Sequence, residues 1–316
     1  MDLIEKGRVF LRGKIRRTPI EESRVLSEVL GVPVWLKLEC LQTTGSFKVR
    51  GALFRLAQLS PIERQIGIAT CSAGNHGKSI AYAAKKIGIQ VTIYVPKFVN
   101  PTKFQGMVVL GARVIRSPFE GYDDTEAWAR EQIVKSGQLF ISGFDDPYIM
   151  AGNGGSVAAE VLEDVPEARS FIVPVGGGGH AAGFAYYVKE KLSDCQIITC
   201  QHELSPALKL SLESNKAVTK LRAVTTLAAG LEGGIGQLTF EVLKTRVDRV
   251  DLVTEKEIRT AVVWMLDHHQ YLIEPTAAAT IATCLNGRIE KPSSPTVVVL
   301  TGRNVDVQTI RELLYS

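Results

Sequence analysis

The chain has 316 residues, 45% hydrophobic and 22% charged, the makeup of an ordinary globular protein with two domains or one large α/β unit. Its 37 Lys and Arg against 33 Asp and Glu leave +4, with no run of five like charges and no basic-aromatic ladder, which argues against nucleic acid as a partner. No stretch approaches the about 18 consecutive apolar residues of a membrane span, and Met1-Asp2-Leu3-Ile4-Glu5-Lys6 lacks the apolar core of a signal peptide.

In chain order, apolar spacing predicts a helix from about Leu3 to Ile15, broken by Arg17-Thr18-Pro19, and a second from Ser23 to Leu30 that stops at Gly31. Val34 to Glu39 reads as a short strand. From about Gly67 strands and helices alternate: strand Ile68–Thr70, helix Ser79–Ile87, strand Val91–Val95, helix Pro101–Leu110, strand Val114–Ile115, helix Tyr122–Lys135 and strand Leu139–Ile141. A second block follows, with helix Ile149–Leu162, strand Phe171–Val175, helix Ala181–Leu192, strand Ile197–Cys200, helices Glu255–His268 and Thr276–Leu285, and strand Thr296–Thr301. Such alternation marks parallel sheets covered by helices. With no internal repeat and no linker rich in Pro, Gly or Ser, two domains would pack closely and place their site in the cleft between them. The five cysteines, Cys40, Cys71, Cys195, Cys200 and Cys284, contain no C-x-x-C pair, which favours reduced, buried thiols and a cytoplasmic protein over a disulfide frame or zinc site.

Four places carry chemistry. In Thr43-Thr44-Gly45-Ser46-Phe47-Lys48-Val49-Arg50-Gly51-Ala52, Lys48 stands beside Phe47. Burial lowers a lysine's pKa, and a neutral amine attacks carbonyls, which is how an aldehyde cofactor is anchored. The plain alternative is a solvated lysine at a loop-to-helix junction. Gly176-Gly177-Gly178-Gly179 lies between a strand and a helix, where unobstructed N–H groups cradle phosphate. Gly176, Gly178 and Ala181 also fit G-x-G-x-x-[GA], but dinucleotide binding needs an acid at the end of the next strand, and only Glu203 is near. Ser72-Ala73-Gly74-Asn75-His76-Gly77 suits a carboxylate or phenolate, or else an ordinary N-cap made by Ser72 or Asn75. Thr301, at the end of the last strand, is uninformative alone. His268 and His269 close a helix, where cations complement the dipole.

Together and in this order, these residues resemble the pyridoxal-phosphate (PLP) enzymes of the serine/threonine dehydratase family, which share the fold of the tryptophan synthase β subunit. The matching stretches are Lys37-Leu38-Glu39-Cys40-Leu41-Gln42 with Thr44 to Ala52, Ser72 to Gly77, Pro174 to Gly179, Glu274-Pro275-Thr276-Ala277, and Thr301-Gly302-Arg303-Asn304-Val305. The resemblance implies an α/β fold of type II with two domains, each a mostly parallel twisted sheet flanked by helices: a large PLP-binding domain of residues 1–51 and 147–316, and a small one of residues 52–146 inserted in it. It implies that Lys48 carries the PLP, that Phe47 packs on its ring, and that Gly176, Gly177, Gly178 and Gly179 bind its phosphate. Asn75 would meet the 3-oxygen, Thr301 the ring nitrogen, and Glu274 would also belong to the cofactor site. Ser72, Ala73, Asn75 and His76 would surround the substrate carboxylate. The freed lysine amine would take the Cα proton, and a hydroxyl rather than a carboxylate at the ring nitrogen would favour loss of the β-hydroxyl, ending in a 2-oxo acid and ammonia.

The implied activity is therefore dehydration of a β-hydroxy-amino acid such as L-threonine or L-serine by a homodimer. Ala73 replaces the second serine of the racemases, which disfavours racemisation or β-replacement. Gln201 and Ala207 replace the acids through which many relatives bind a divalent cation, so no activating metal is expected. His180, Ala229 and Arg303 depart from the usual pattern and are expected to reshape or recharge the pocket; His180 and Arg303 would suit an anionic substrate such as 3-hydroxyaspartate. The chain stops soon after Asp306, where biosynthetic relatives continue into a regulatory domain, so feedback by isoleucine is not expected. A nucleotide-binding protein without catalysis is the reading from another class, and the intact Lys48 opposes it.

Overall fold

Ten strands form two sheets in the computed structural model, which describes residues 1–289, 292–293 and 295–315. They are β1 Ile20–Glu22, β2 Val34–Lys37, β3 Ile68–Cys71, β4 Val91–Val95, β5 Arg113–Arg116, β6 Leu139–Phe140, β7 Ser170–Pro174, β8 Gln196–His202, β9 Arg249–Val253 and β10 Thr296–Val299. The larger sheet has the order β1-β2-β10-β7-β8-β9 and the smaller β5-β4-β3-β6. Every pairing is parallel except β1 with β2. In the centre of the larger sheet Val298 of β10 lies opposite both Leu36 and Ile172. The runs Phe171-Ile172-Val173 and Val297-Val298-Val299 are fully buried, as central parallel strands covered on both faces must be. The smaller sheet draws its strands from residues 68–140, and the larger takes its own from the segments on either side.

Differences from the expected elements have local causes. The first helix, Asp2–Leu11, ends four residues early because Gly13 takes φ +73°. The helix expected over 149–162 is three pieces: Pro147–Met150, a π-helical turn Ala151–Gly155, and Ser156–Asp164. In that turn Gly152 lies against Gly51 and Gly154 against the His180 carbonyl, so the helices Lys48–Ala57 and Gly179–Lys191 approach it closely. β1, β9 and the helices Lys48–Ala57, Pro61–Ile66, Ala207–Ser214, Gln237–Leu243 and Val307–Tyr315 were not expected. Pro61–Ile66 had a legible start, since Ser60 and Glu63 form a capping box with Pro61 at the first position.

A buried ion network fixes the lysine loop to the larger sheet. Arg50 donates to Glu39 at 2.7 and 2.8 Å and to Glu160 at 2.7 and 2.9 Å, and Lys37 donates to Glu160 at 2.8 Å. Burial opposes the charge on Glu39, but Arg50 overcomes it and holds the carboxyl below its ordinary range. Lys48, two residues before Arg50 at the start of the same helix, is thereby held at one place.

Candidate active site

The carboxyl ends of β2, β3, β6, β7 and β10 meet around a cavity of about 380 Å³, the place where open α/β sheets bind ligands. Lys48 opens the helix Lys48–Ala57 there, and its Nζ donates to the Gly143 carbonyl at 2.8 Å. Burial brings the amine down to about 8, against the pull of Glu274. An ammonium so lowered gives up its proton near neutral pH, which a solvated lysine does not. The Phe47 ring lies on the cavity wall with the Lys48 ammonium 5.3 Å from its centroid.

The glycine run forms a cradle in the same cavity. Gly178 has φ +93° and precedes the helix Gly179–Lys191, which starts two residues before its expected position. The N–H groups of Gly176, Gly177, Gly178 and Gly179 bond to no described residue, so four donors at the positive end of a helix lie on the cavity wall without a protein partner. A Cβ at Gly177 would enter the Phe144 ring, and one at Gly176 would strike the Gly230 carbonyl. From behind, the Gly177 carbonyl accepts from Thr239 Oγ1 at 2.8 Å and from Gly236 N at 3.2 Å. Glu203 is exposed beyond the end of β8 and away from the cavity, so the acid that a dinucleotide site needs is missing.

The third wall is Ser72 to His76. The helix there runs Asn75–Ile87, four residues earlier than expected, and Gly74 caps it without a side-chain bond; neither Ser72 nor Asn75 is the N-cap. Ser72, Ala73, Asn75 and His76 therefore face the cavity around a helix amino terminus. His76 Nε2 pairs with Thr70 Oγ1 at 3.0 Å, and burial, with Lys48 nearby, pushes the imidazole down to about 3, so it is neutral.

Thr301 and Glu274 line the cavity beside Asn75. Thr301 Oγ1 is buried without a hydrogen-bond partner, an orphan of the kind a bound group satisfies. Glu274 accepts from Asn75 Nδ2 at 2.6 Å, and burial raises its carboxyl to about 7 even with Lys103, Asn75 and Lys78 opposing. Asn304 ties the wall together, donating to Asn75 Oδ1 at 2.6 Å and to the Thr44 carbonyl at 2.9 Å.

All of the expected site residues thus border one cavity. Of the three departures, Ala229 and His180 line it, whereas Arg303 is exposed outside it and does not recharge it. His180 packs 4.5 Å from Phe47, both its ring nitrogens are unpartnered, and burial with Lys48 and Arg50 pushes it down to about 3. It packs on Phe47 as an uncharged ring. Lys103, Asn100, Tyr122, Phe144 and Asn304 also line the cavity and were not expected. Asn304 stood in a matched stretch without a role, and the Asn100-Pro101 cap was the one visible hint of Lys103. His268 stacks on Trp264 and His269 bonds to Ser23, so both close their helix away from the site. Gln201 spends its amide on the Val175 carbonyl and Lys209 N. Among the described residues no three His, Cys, Asp or Glu side chains cluster to hold a metal, and no helix is long and apolar enough to cross a membrane.

Comparison with known proteins agrees with this geometry. The family model described as pyridoxal-phosphate dependent enzyme matches residues 11–302. An L-threonine ammonia-lyase of Geobacter sulfurreducens is 36% identical over 98% of this chain and 76% of its own, and one of Thermotoga maritima is 35% identical over 98% and 77%. The solved structure of maize serine racemase superposes with a TM-score of 0.92 at 28% identity, covering 99% of this chain and 96% of that one. With its recessed lysine, glycine cradle and two mostly parallel sheets, this chain belongs to the pyridoxal-phosphate-dependent enzymes of fold type II.

Proposed function

We propose that the chain is a PLP-dependent dehydratase that converts L-threonine or L-serine to a 2-oxo acid and ammonia. The observation that carries this reading is a lysine amine lowered to about 8 that lines one cavity together with four successive glycines whose N–H groups bond to no described residue. The names of the most similar relatives support the substrate class.

The residues present fit the cofactor. Lys48 offers the amine, Gly176 to Gly179 four donors for a phosphate, Thr301 an orphaned hydroxyl for a ring nitrogen and Asn75 an amide for a phenolate oxygen, with Phe47 and Glu274 completing the site. When bound, PLP supplies an electron sink for the charge left at Cα after proton removal. Lys48 is the group that holds the cofactor and takes the Cα proton, and its depressed pKa suits both tasks near neutral pH. Ser72, Asn75 and His76 orient the substrate carboxylate at the helix amino terminus. Ala73 offers no hydroxyl to protonate Cα from the opposite face, which favours elimination over racemisation. Arg303's position removes one of the two features that suited 3-hydroxyaspartate, and burial leaves the other, His180, without charge.

We further propose that residues 52–146 form a small domain inserted in a large domain of 1–51 and 147–316, and that the enzyme is a cytoplasmic homodimer. The sheet membership supports the division, the family resemblance the dimer, and five buried thiols free of disulfides a reducing compartment. The deciding experiment is 2-oxo acid release by the PLP-loaded protein from L-threonine, L-serine, their D-forms and 3-hydroxyaspartate. Release from the L-forms that disappears in Lys48→Ala establishes the reading, and release from 3-hydroxyaspartate alone overturns it.

A further inference from the structure

An amino-acid substrate brings a carboxylate into the cavity, and the wall assigned to it above carries no formal positive charge. Ser72 and Asn75 are neutral by nature, and burial with Lys48 nearby keeps His76 and His180 neutral as well. Arg303 lies outside. Among the described residues the cavity is lined by two lysines and no arginine: Lys48, which the cofactor occupies, and Lys103.

Lys103 sits in the first turn of the helix Pro101–Val109, which packs against the helix Asn75–Ile87 of the carboxylate wall. Its backbone position is fixed. Asn100 Oδ1 accepts from Thr102 N at 2.9 Å and from Lys103 N at 3.3 Å, and Asn100 Nδ2 donates to Asp306 at 3.1 Å across the cleft. The Lys103 side chain is half-buried yet makes no hydrogen bond or ion pair with any described residue. Glu274 and Asp306 feel its charge without pairing with it. An ammonium on the cavity wall with no direct partner is free to donate to an anion that enters.

We propose that Lys103 is the cation that recognises the substrate's α-carboxylate, forming one subsite with Ser72 and the amino terminus of the helix Asn75–Ile87. The inference rests on the reading that the substrate is an amino acid. A point charge beside helix N–H donors explains how an uncharged Ser-Ala-Gly-Asn-His wall would select a free amino acid over its amide or ester.

The test uses the PLP-loaded protein and two ligands without a β-leaving group, L-alanine and L-alaninamide, titrated by the change in cofactor absorbance. Wild type is expected to prefer L-alanine. Lys103→Gln should bind L-alanine about tenfold more weakly, the scale of losing one charge-assisted hydrogen bond, and L-alaninamide with unchanged affinity. Lys103→Arg should recover most of the loss, and cofactor absorbance without ligand should match wild type in both variants. Equal weakening of both ligands would show a merely structural lysine and overturn the proposal. So would unchanged L-alanine binding, a wild type that does not distinguish the two ligands, or weakening confined to L-aspartate, which would assign Lys103 to a side-chain carboxylate. Lys103-dependent L-alanine binding without 2-oxo acid from L-threonine or L-serine would overturn the dehydratase reading and leave this one standing.

Discussion

Asn75 donates from Nδ2 to Glu274 Oε1 at 2.6 Å while its Oδ1 accepts from Asn304 Nδ2 at 2.6 Å. Held from both sides, the amide keeps one N–H for a ligand. Glu274 belongs to the segment before the helix Pro275–Leu285, and Asn75 begins a helix of the smaller sheet, so the pair spans the cleft.

Burial raises the Glu274 carboxyl from 4.5 to about 7, so between those values the folded protein binds more protons than the unfolded chain. Its stability must therefore fall as pH rises through that window, with the full penalty present above about 7. Glu274→Gln keeps an acceptor for Asn75 and removes the titration. Urea unfolding of the cofactor-free protein at pH 5 and pH 8 should show the variant gaining on wild type mainly at pH 8, by up to about 3 kcal/mol. An equal effect at both pH values would rule this out.

Lys48 works with the opposite pH sense. Its pKa drops from 10.5 to about 8, so the unfolded chain binds more protons between those values and stability rises with pH there. Lys48→Met should stabilise the cofactor-free protein at pH 7 by up to about 3 kcal/mol. The gain should shrink towards pH 10.5. The same variant should lose PLP-dependent turnover by at least about 10²-fold. A variant less stable than wild type at pH 7 would contradict the burial argument.

Gly178→Ala strains the cradle at φ +93° and brings a Cβ against Thr239. A cost of about 1–2 kcal/mol for the backbone alone is expected. Fluorescence titration should show weaker PLP binding, whereas Gly106→Ala, in the helix Pro101–Val109 outside the cavity lining and with open space at its Cβ, should leave it unchanged. Equal affinities in the two variants would count against a phosphate cradle.

Arg50 is fully buried between Glu39 and Glu160. Arg50→Ala strands both carboxylates and should cost about 3–5 kcal/mol in a denaturant melt. Combining Arg50→Met with Glu39→Gln should cost less than Arg50→Met alone. A double variant as damaged as the sum of its parts would show that packing, not charge, sets the cost.

Much of this protein was legible because its information is local. The Val and Ile runs of β7 and β10, the glycines after β7 and the Phe47-Lys48 pair each announce themselves within a few residues, and their order along the chain carried the resemblance. β1 was not legible: three residues with no alternation become a strand through pairing with β2. The π turn at Ala151–Gly155 was hidden because tight packing on Gly51 and His180, not local propensity, selects it.

From residue types, spacing and order alone, this sequence determined an α/β chain with a lysine able to do carbonyl chemistry and a glycine loop able to hold phosphate. Only the tertiary structure decided which charges matter. Arg303 and Lys103 are both cations on paper; folding leaves Arg303 in solvent and brings Lys103 to the cavity from a helix 55 positions beyond Lys48 in the numbering. Burial, which no short stretch of sequence encodes, also made two histidines neutral, one lysine a weaker base for protons and one glutamate reluctant to ionise. Desolvation depends on what the whole chain wraps around a group, so it exists only once the chain has folded.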